Sequence, residues 1–126
     1  QLERLLEGTI NYAKDRRLAG RSLMEIQHIR HLLADVKVII NVGKNMVYDA
    51  AFAIDNKTKD ALSKSSVAKL FVSENAVNSI KQLQSVYGAY GYLAEGDIER
   101  EFRDCYASLI YSGTSAIQRN IISMEF

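Results

Sequence analysis

SLMEIQHIRHLLADVKVIINVGKNMVYDAAFAI, residues 22–54, is the most informative stretch of the sequence. Its apolar residues recur every three or four positions, which is the spacing of one helical face. These residues are Leu23, Ile26, Ile29, Leu33, Val36, Ile40, Val47, Ala50 and Ile54. The pattern predicts a single helix of about 30 residues, about 45 Å long, with Ser22 as its N-cap.

Helical spacing continues on both sides of this stretch. The upstream helix carries Leu2, Leu5, Leu6, Ile10 and Ala13, and it is expected to end at residues 15–17, before Gly20. The polar residues 55–60 predict a turn. The next helix is expected to bury a stripe formed by Ala61, Leu62, Val67, Leu70, Phe71, Ala76, Ile80, Leu83 and Val86.

The last third of the chain is interrupted by glycines. The segment GAYGY, residues 88–92, predicts a tight non-helical passage. A fourth helix is expected to begin near Asp97 and to bury Ile98, Phe102, Leu109 and Ile110. Gly113 should end it, and Thr114 should cap a final helix that carries Ile117, Ile121 and Ile122.

Composition restricts the class of protein. The 126 residues are 48% hydrophobic and 25% charged, with a net charge of +1, which excludes a disordered chain and a strongly basic nucleic-acid binder. No apolar run is long enough to span a membrane. The lone cysteine, Cys105, excludes an internal disulfide and favours a reducing, cytoplasmic location. With no proline to interrupt helices, residues 1–126 predict one all-α, up-down four-helix bundle.

The side chains themselves support little chemistry. His28, His31 and Asp35 share a helical face, but no second helix supplies matching ligands, so we predict no metal site. Cys105 has no histidine nearby in sequence and is interpreted as a buried, inert thiol.

Two further clusters leave alternatives open. Arg16, Arg17 and Arg21 could clamp a phosphate or form a solvated helix end. Tyrosines 87, 90 and 92 lie among glycines, where aromatic side chains either line a ligand site or close the end of a bundle.

Six motifs occur in an order that resembles a known family. They are YAKDRRLAG at 12–20 followed by Gln27, Ala34-Asp35, Ala68-Lys69, GAYGY at 88–92, Arg103-Asp104, and YSGTSAIQR at 111–119. Over nearly the whole chain they resemble the C-terminal helical domain of the acyl-CoA dehydrogenases. The chain begins at Gln1 rather than Met and contains nothing like the family's N-terminal helical and middle β domains. We therefore expect it to be a fragment of a longer protein.

The resemblance implies a flavoprotein that forms a homodimer or homotetramer. FAD would lie between the β domain and this bundle. The implied cofactor-binding residues are Arg16, Gln27, Ser85, Gly88, Ala89 and Thr114. Of these, Arg16 and Gln27 would reach FAD across the subunit interface, and Thr114 would contact the FAD of its own subunit. The implied substrate-lining residues are Tyr111, Ser112 and Gly113.

The implied reaction is α,β-dehydrogenation of an acyl thioester, with the acyl group on coenzyme A or on an acyl carrier protein. Electrons would pass to an electron-transfer flavoprotein or to oxygen. The family's usual catalytic Glu is replaced here by Ser112, whose hydroxyl is too weak a base. Three interpretations remain: the base lies upstream on the first helix, the substrate is unusual, or dehydrogenation has been lost.

Departures at Ala19, Ser85, Ala89 and Ala116 each remove a potential FAD contact. The competing hypothesis is therefore a non-catalytic helical oligomerisation module. In either case no catalytic residue is assigned within these residues, and the chain alone is expected to be inactive.

Overall fold

A computed structural model describes all 126 residues and contains five α-helices and almost no sheet. The helices are α1 (Leu2–Asp15), α2 (Gln27–Asp55), α3 (Ala61–Val86), α4 (Asp97–Tyr106) and α5 (Ser115–Ser123). A minimal antiparallel hairpin, β1 (Arg17–Leu18) with β2 (Arg21–Ser22), joins α1 to α2. The all-α prediction is confirmed.

The third helix is the centre of the bundle. Helix α3 runs antiparallel to α2 after the turn at 56–60, and it also packs against α1, α4 and α5. A Cβ added to Gly43 on α2 would lie 3.3 Å from Cγ2 of Val72 on α3. Gly43 therefore offsets its poor helix propensity by letting the two long helices approach closely.

The core is built from residues of α1, α2, α3 and α4. Its buried members are Leu5, Leu6, Leu33, Val36, Ile40, Val77, Ile80, Leu83, Ile98 and Cys105. The predicted apolar faces were wrong at five positions, because Val47, Ile54, Leu62, Ile110 and Ile117 are exposed. The predicted stripe on α3 also omitted its buried serines, Ser66, Ser73 and Ser79. Periodicity identified a helical face but could not show how far along that face other helices cover it.

Ser22 caps a different element from the one predicted. It begins a 3-10 turn, Leu23–Glu25, and α2 starts only at Gln27. The Ser22 hydroxyl accepts a hydrogen bond from the Met24 amide (3.2 Å) and donates to the Ala13 carbonyl (2.8 Å). A single buried hydroxyl thus joins the end of α1 to the turn that precedes α2.

We predict that Ser22→Ala lowers the free energy of unfolding of this chain by about 1–2 kcal/mol, because it removes a cap and leaves buried polar groups unpaired. Urea denaturation followed by circular dichroism measures the change. Ser85→Ala is the matched control, since the exposed Ser85 hydroxyl donates only to Gln82 within its own helix. Equal destabilisation by the two substitutions would contradict the bridging role.

Residues 88–92 form a 3-10 helix, so the prediction of a non-helical passage was wrong. The prediction that this segment is tightly packed was correct. Gly91 is buried, and a Cβ there would lie 2.5 Å from the Gln84 carbonyl oxygen. The Gln84 side chain donates to the Gly91 carbonyl (2.6 Å), which secures the turn against α3.

Thr114 caps α5 as predicted, accepting a hydrogen bond from the Ile117 amide. None of the five helices is both long enough and apolar enough to cross a membrane.

Candidate functional site

Arg16 lies at the end of α1, where its backbone bonds to the helix and its side chain faces one aromatic ring. Its amide donates to the Tyr12 carbonyl (2.8 Å), which ends the helix. Its guanidinium carbon lies 5.5 Å from the centre of the Tyr90 ring, a cation–π arrangement. Tyr12 stacks on Tyr87 with ring centres 4.3 Å apart. The Tyr90 ring therefore lies against the Arg16 guanidinium, and the Arg16 residue remains exposed to solvent.

The neighbouring arginines are engaged elsewhere. Arg17 and Arg21 lie 3.7 Å and 3.5 Å from the carboxylate of Glu25. A hydrogen bond from the Ser22 amide, assisted by Arg21, holds the pKa of Glu25 below its ordinary value. The three arginines therefore do not form one phosphate clamp, and Arg16 is the member that makes no ion pair.

Gly88 and Ala89 lie at the same end of the bundle as Arg16. Gly88 has a φ of +59°, and a Cβ there would meet no atom within 4 Å. The backbone is thus open to a ligand at this point. Ser85 precedes it in the last turn of α3, where its hydroxyl is already committed to Gln82 (2.6 Å).

Gln27 is exposed at the first residue of α2, and its amide lies 3.4 Å from the His31 ring. The chain contains no group of three His, Cys, Asp or Glu side chains placed to hold a metal ion.

Tyr111, Ser112 and Gly113 form a strained turn between α4 and α5. Ser112 and Gly113 have φ values of +54° and +87°. Lys69 of α3 donates to the Gly113 carbonyl (2.6 Å). The buried Gln118 side chain lies 3.2 Å from the Ser112 carbonyl and 3.3 Å from that of Gly113. Sequence reasoning placed Lys69 and Gln118 in motifs but assigned neither a role, because only the fold brings them to this turn.

An apolar groove of about 750 Å³ runs between α2 and α3. It extends from Gln1–Glu3 at the beginning of α1 to Tyr111 and Ser112, and 14 of its 23 lining residues are hydrophobic. Lys69 and Ser73 are among the polar exceptions. Ser112 therefore lies at the border of a large apolar surface.

Two titratable groups beside this groove, Glu3 and Cys105, are poor bases. The Lys44 ammonium lies 2.7 Å from a Glu3 carboxylate oxygen, and this hydrogen bond lowers the pKa of Glu3. Cys105 is buried against the groove, as predicted, and desolvation raises the pKa of its thiol. Neither group is suited to removing a proton from a substrate near neutral pH.

The six predicted cofactor residues fall into separate groups. Arg16 meets Tyr90, beside Gly88 and Ala89, at the C-terminal end of α3. Thr114 belongs to the turn that is tied to Lys69, near the beginning of α3. Lys69 and Ser85 are separated by sixteen helical steps, which span about 24 Å. Within one chain, the six residues therefore cannot all contact the same small part of a ligand.

The chain matches known proteins along its full length. A family profile described as "Acyl-CoA dehydrogenase, C-terminal domain" matches residues 1–126. The chain is 37% identical over 118 residues to the caffeyl-CoA reductase-Etf complex subunit CarC of Acetobacterium woodii. That match covers 94% of this chain but only 31% of the relative.

Two solved structures show the same fold. The prolyl acyl carrier protein oxidase AnaB is 38% identical, with a TM-score of 0.92, over 98% of this chain and 32% of that one. The FAD complex of PigA is 31% identical, with a TM-score of 0.91 and the same coverage. Such neighbours point to FAD as the cofactor of the family. The motifs, the helical architecture and these matches agree, and the chain belongs to the acyl-CoA dehydrogenase family as its C-terminal helical domain.

Proposed function

We propose that the full-length protein is an FAD-dependent enzyme that dehydrogenates an acyl thioester between its α and β carbons. Residues 1–126 form the single C-terminal domain, which completes the FAD site at a subunit interface of a homodimer or homotetramer. The observation that carries the proposal is the match of all 126 residues to the family's C-terminal domain. Bound FAD would accept the hydride that leaves the β carbon.

The residues at the Arg16 end fit an anionic cofactor. Arg16 offers a planar set of donors with no carboxylate paired to it, which suits a pyrophosphate. The open backbone at Gly88 allows close approach. The separation between this end and Thr114 supports an arrangement in which Arg16 and Gln27 reach the FAD of the neighbouring subunit, whereas Thr114 contacts the FAD of its own.

The base that removes the α proton lies outside these residues in our proposal. Ser112 occupies the position of the family's usual Glu, and its hydroxyl is too weak a base to remove the α proton. The groove from Gln1 to Ser112 supports an upstream carboxylate, because residues preceding α1 would start at the border of this groove. Apolar walls would raise the pKa of such a carboxylate and strengthen it as a base.

The substrate is an acyl thioester carried by coenzyme A or by an acyl carrier protein. The name of CarC refers to a coenzyme A thioester, and the name of AnaB refers to an acyl carrier protein. The two proteins are similarly identical to this chain. Electrons would leave through an electron-transfer flavoprotein or to oxygen. Tyr111, Ser112 and Gly113 would lie at the acyl end of the pocket, and the enzyme would be cytoplasmic.

A visible spectrum of the purified full-length protein tests the proposal. We expect a bound-flavin spectrum that bleaches when butyryl-CoA or a prolyl thioester on a carrier protein is added. A flavin that neither thioester bleaches would contradict the dehydrogenase. A colourless protein that does not take up added FAD would favour the non-catalytic oligomerisation module.

We predict that Arg16→Ala weakens FAD binding by the full-length protein tenfold or more, because a charge-assisted hydrogen bond contributes about 1.5–3 kcal/mol. Flavin titration monitored by fluorescence quenching measures the affinity, and light scattering verifies the oligomer. Arg17→Ala is the matched control, since Arg17 faces Glu25 instead. Equal affinities in the two variants would contradict the role of Arg16.

A further inference from the structure

The turn at Ser112 is held in a conformation that its own sequence disfavours. Ser112 is not glycine, yet its φ is +54°, and Gly113 follows at +87°. A left-handed residue with a Cβ costs about 1–2 kcal/mol. Strained backbone of this kind persists only where surrounding structure imposes it, and it is concentrated at functional sites.

Two side chains, Lys69 and Gln118, form hydrogen bonds to the carbonyls of the turn. The Lys69 ammonium lies 2.6 Å from the Gly113 oxygen, across 44 residues of sequence. Gln118, which is 6% exposed, places its amide nitrogen near both turn carbonyls. Lys69 makes no ion pair within the chain, so its charge is directed at this turn rather than at a carboxylate.

We infer that Lys69, assisted by Gln118, is a positioning residue that fixes the backbone at Ser112 for thioester dehydrogenation. The inference rests on the proposed function, in which position 112 borders the reacting acyl group. Lys69 and Ser112 line the same groove, so the bond from Lys69 determines which way residue 112 faces along it. Lys69 acts through the Gly113 carbonyl and is not itself assigned a chemical step.

Hydrogen exchange of the FAD-loaded full-length protein tests the positioning without any substrate. Lys69→Met keeps the aliphatic stem but removes the donor. We expect exchange across residues 107–118, which include the Tyr111 amide bonded to Ala107, to accelerate about tenfold. Lys81→Met, an exposed lysine of α3, should leave this segment unchanged. Unchanged exchange in Lys69→Met would overturn the inference.

Kinetics with butyryl-CoA separate positioning from general stability. We expect Lys69→Met to lower kcat about tenfold while KM and flavin content stay within about twofold, because misplacement at the reacting centre acts on the transition state. Lys69→Arg should restore much of kcat, since it keeps a charged donor. A loss of flavin or a rise in KM alone would overturn the role in the reaction. If no thioester bleaches the flavin of the wild-type protein, the proposed function is refuted. The hydrogen-exchange result would still decide whether Lys69 positions the turn.

Discussion

Replacing Ser112 with Glu in the FAD-loaded full-length protein is expected to lower kcat for thioester dehydrogenation about tenfold or more at pH 7. The proposed upstream base borders the same groove, so the new carboxylate would stand beside it. Two neighbouring carboxylates resist simultaneous ionisation, and the pKa of one is strongly raised. The base would then be protonated over a wider pH range.

The same substitution should also change how kcat depends on pH. Activity that needs a deprotonated base rises as pH passes the pKa of that base. A raised pKa therefore moves the rising limb of the kcat profile to higher pH in Ser112→Glu. Part of the lost activity should return under alkaline conditions.

Two matched substitutions at the same position separate charge from size. Ser112→Gln has the length of Glu without its charge and should leave the rising limb where it is. Ser112→Ala should retain most of the activity, because the hydroxyl is not the base. If Ser112→Glu instead raises activity towards butyryl-CoA, position 112 faces the α carbon without a competing carboxylate, and the upstream base is wrong.

Leu83→Ala is expected to lower the free energy of unfolding of this chain by about 3–5 kcal/mol, the upper range for a buried leucine. Leu83 is 0% exposed and belongs to the core shared by α1, α2, α3 and α4. Removing its methyl groups loses apolar burial and leaves a cavity that a packed bundle closes only in part. The melting temperature should fall by about 10–15 °C.

Leu62→Ala is the control, because it makes the same chemical change on the same helix. Leu62 is 64% exposed, so truncation should change stability by less than about 0.5 kcal/mol. Urea denaturation followed by circular dichroism compares the two variants. Comparable losses would mean that Leu62 is covered in solution by another copy of the chain, and light scattering would reveal that association.

Most of the helical architecture could be predicted from local pattern. Apolar spacing identified the long helices, and the polar residues 55–60 identified the turn between them. Thr114 was recognisable as a cap because capping depends on residues only three positions apart. The same reasoning misplaced Ser22, since whether a 3-10 turn or an α-helix follows a cap depends on the packing of both.

The functional surfaces depended on contacts that are distant in sequence. Arg16, Arg17 and Arg21 look equivalent in the sequence, but Glu25 engages two of them and Tyr90 supports the third. Lys69 reaches Gly113 only because α3 passes beneath the turn between α4 and α5. Periodicity could not reveal these pairings, because it reports which residues share a face and not what that face meets.

The amino-acid sequence thus determined the long helices and the family, because helical spacing and ordered motifs are local properties that need no partner. Tertiary structure alone decided which apolar residues are buried, which arginine keeps its donors available, and how Ser112 is held at the groove. Those properties depend on contacts between side chains of different helices. The spacing of residues along the sequence does not give the distances between these side chains.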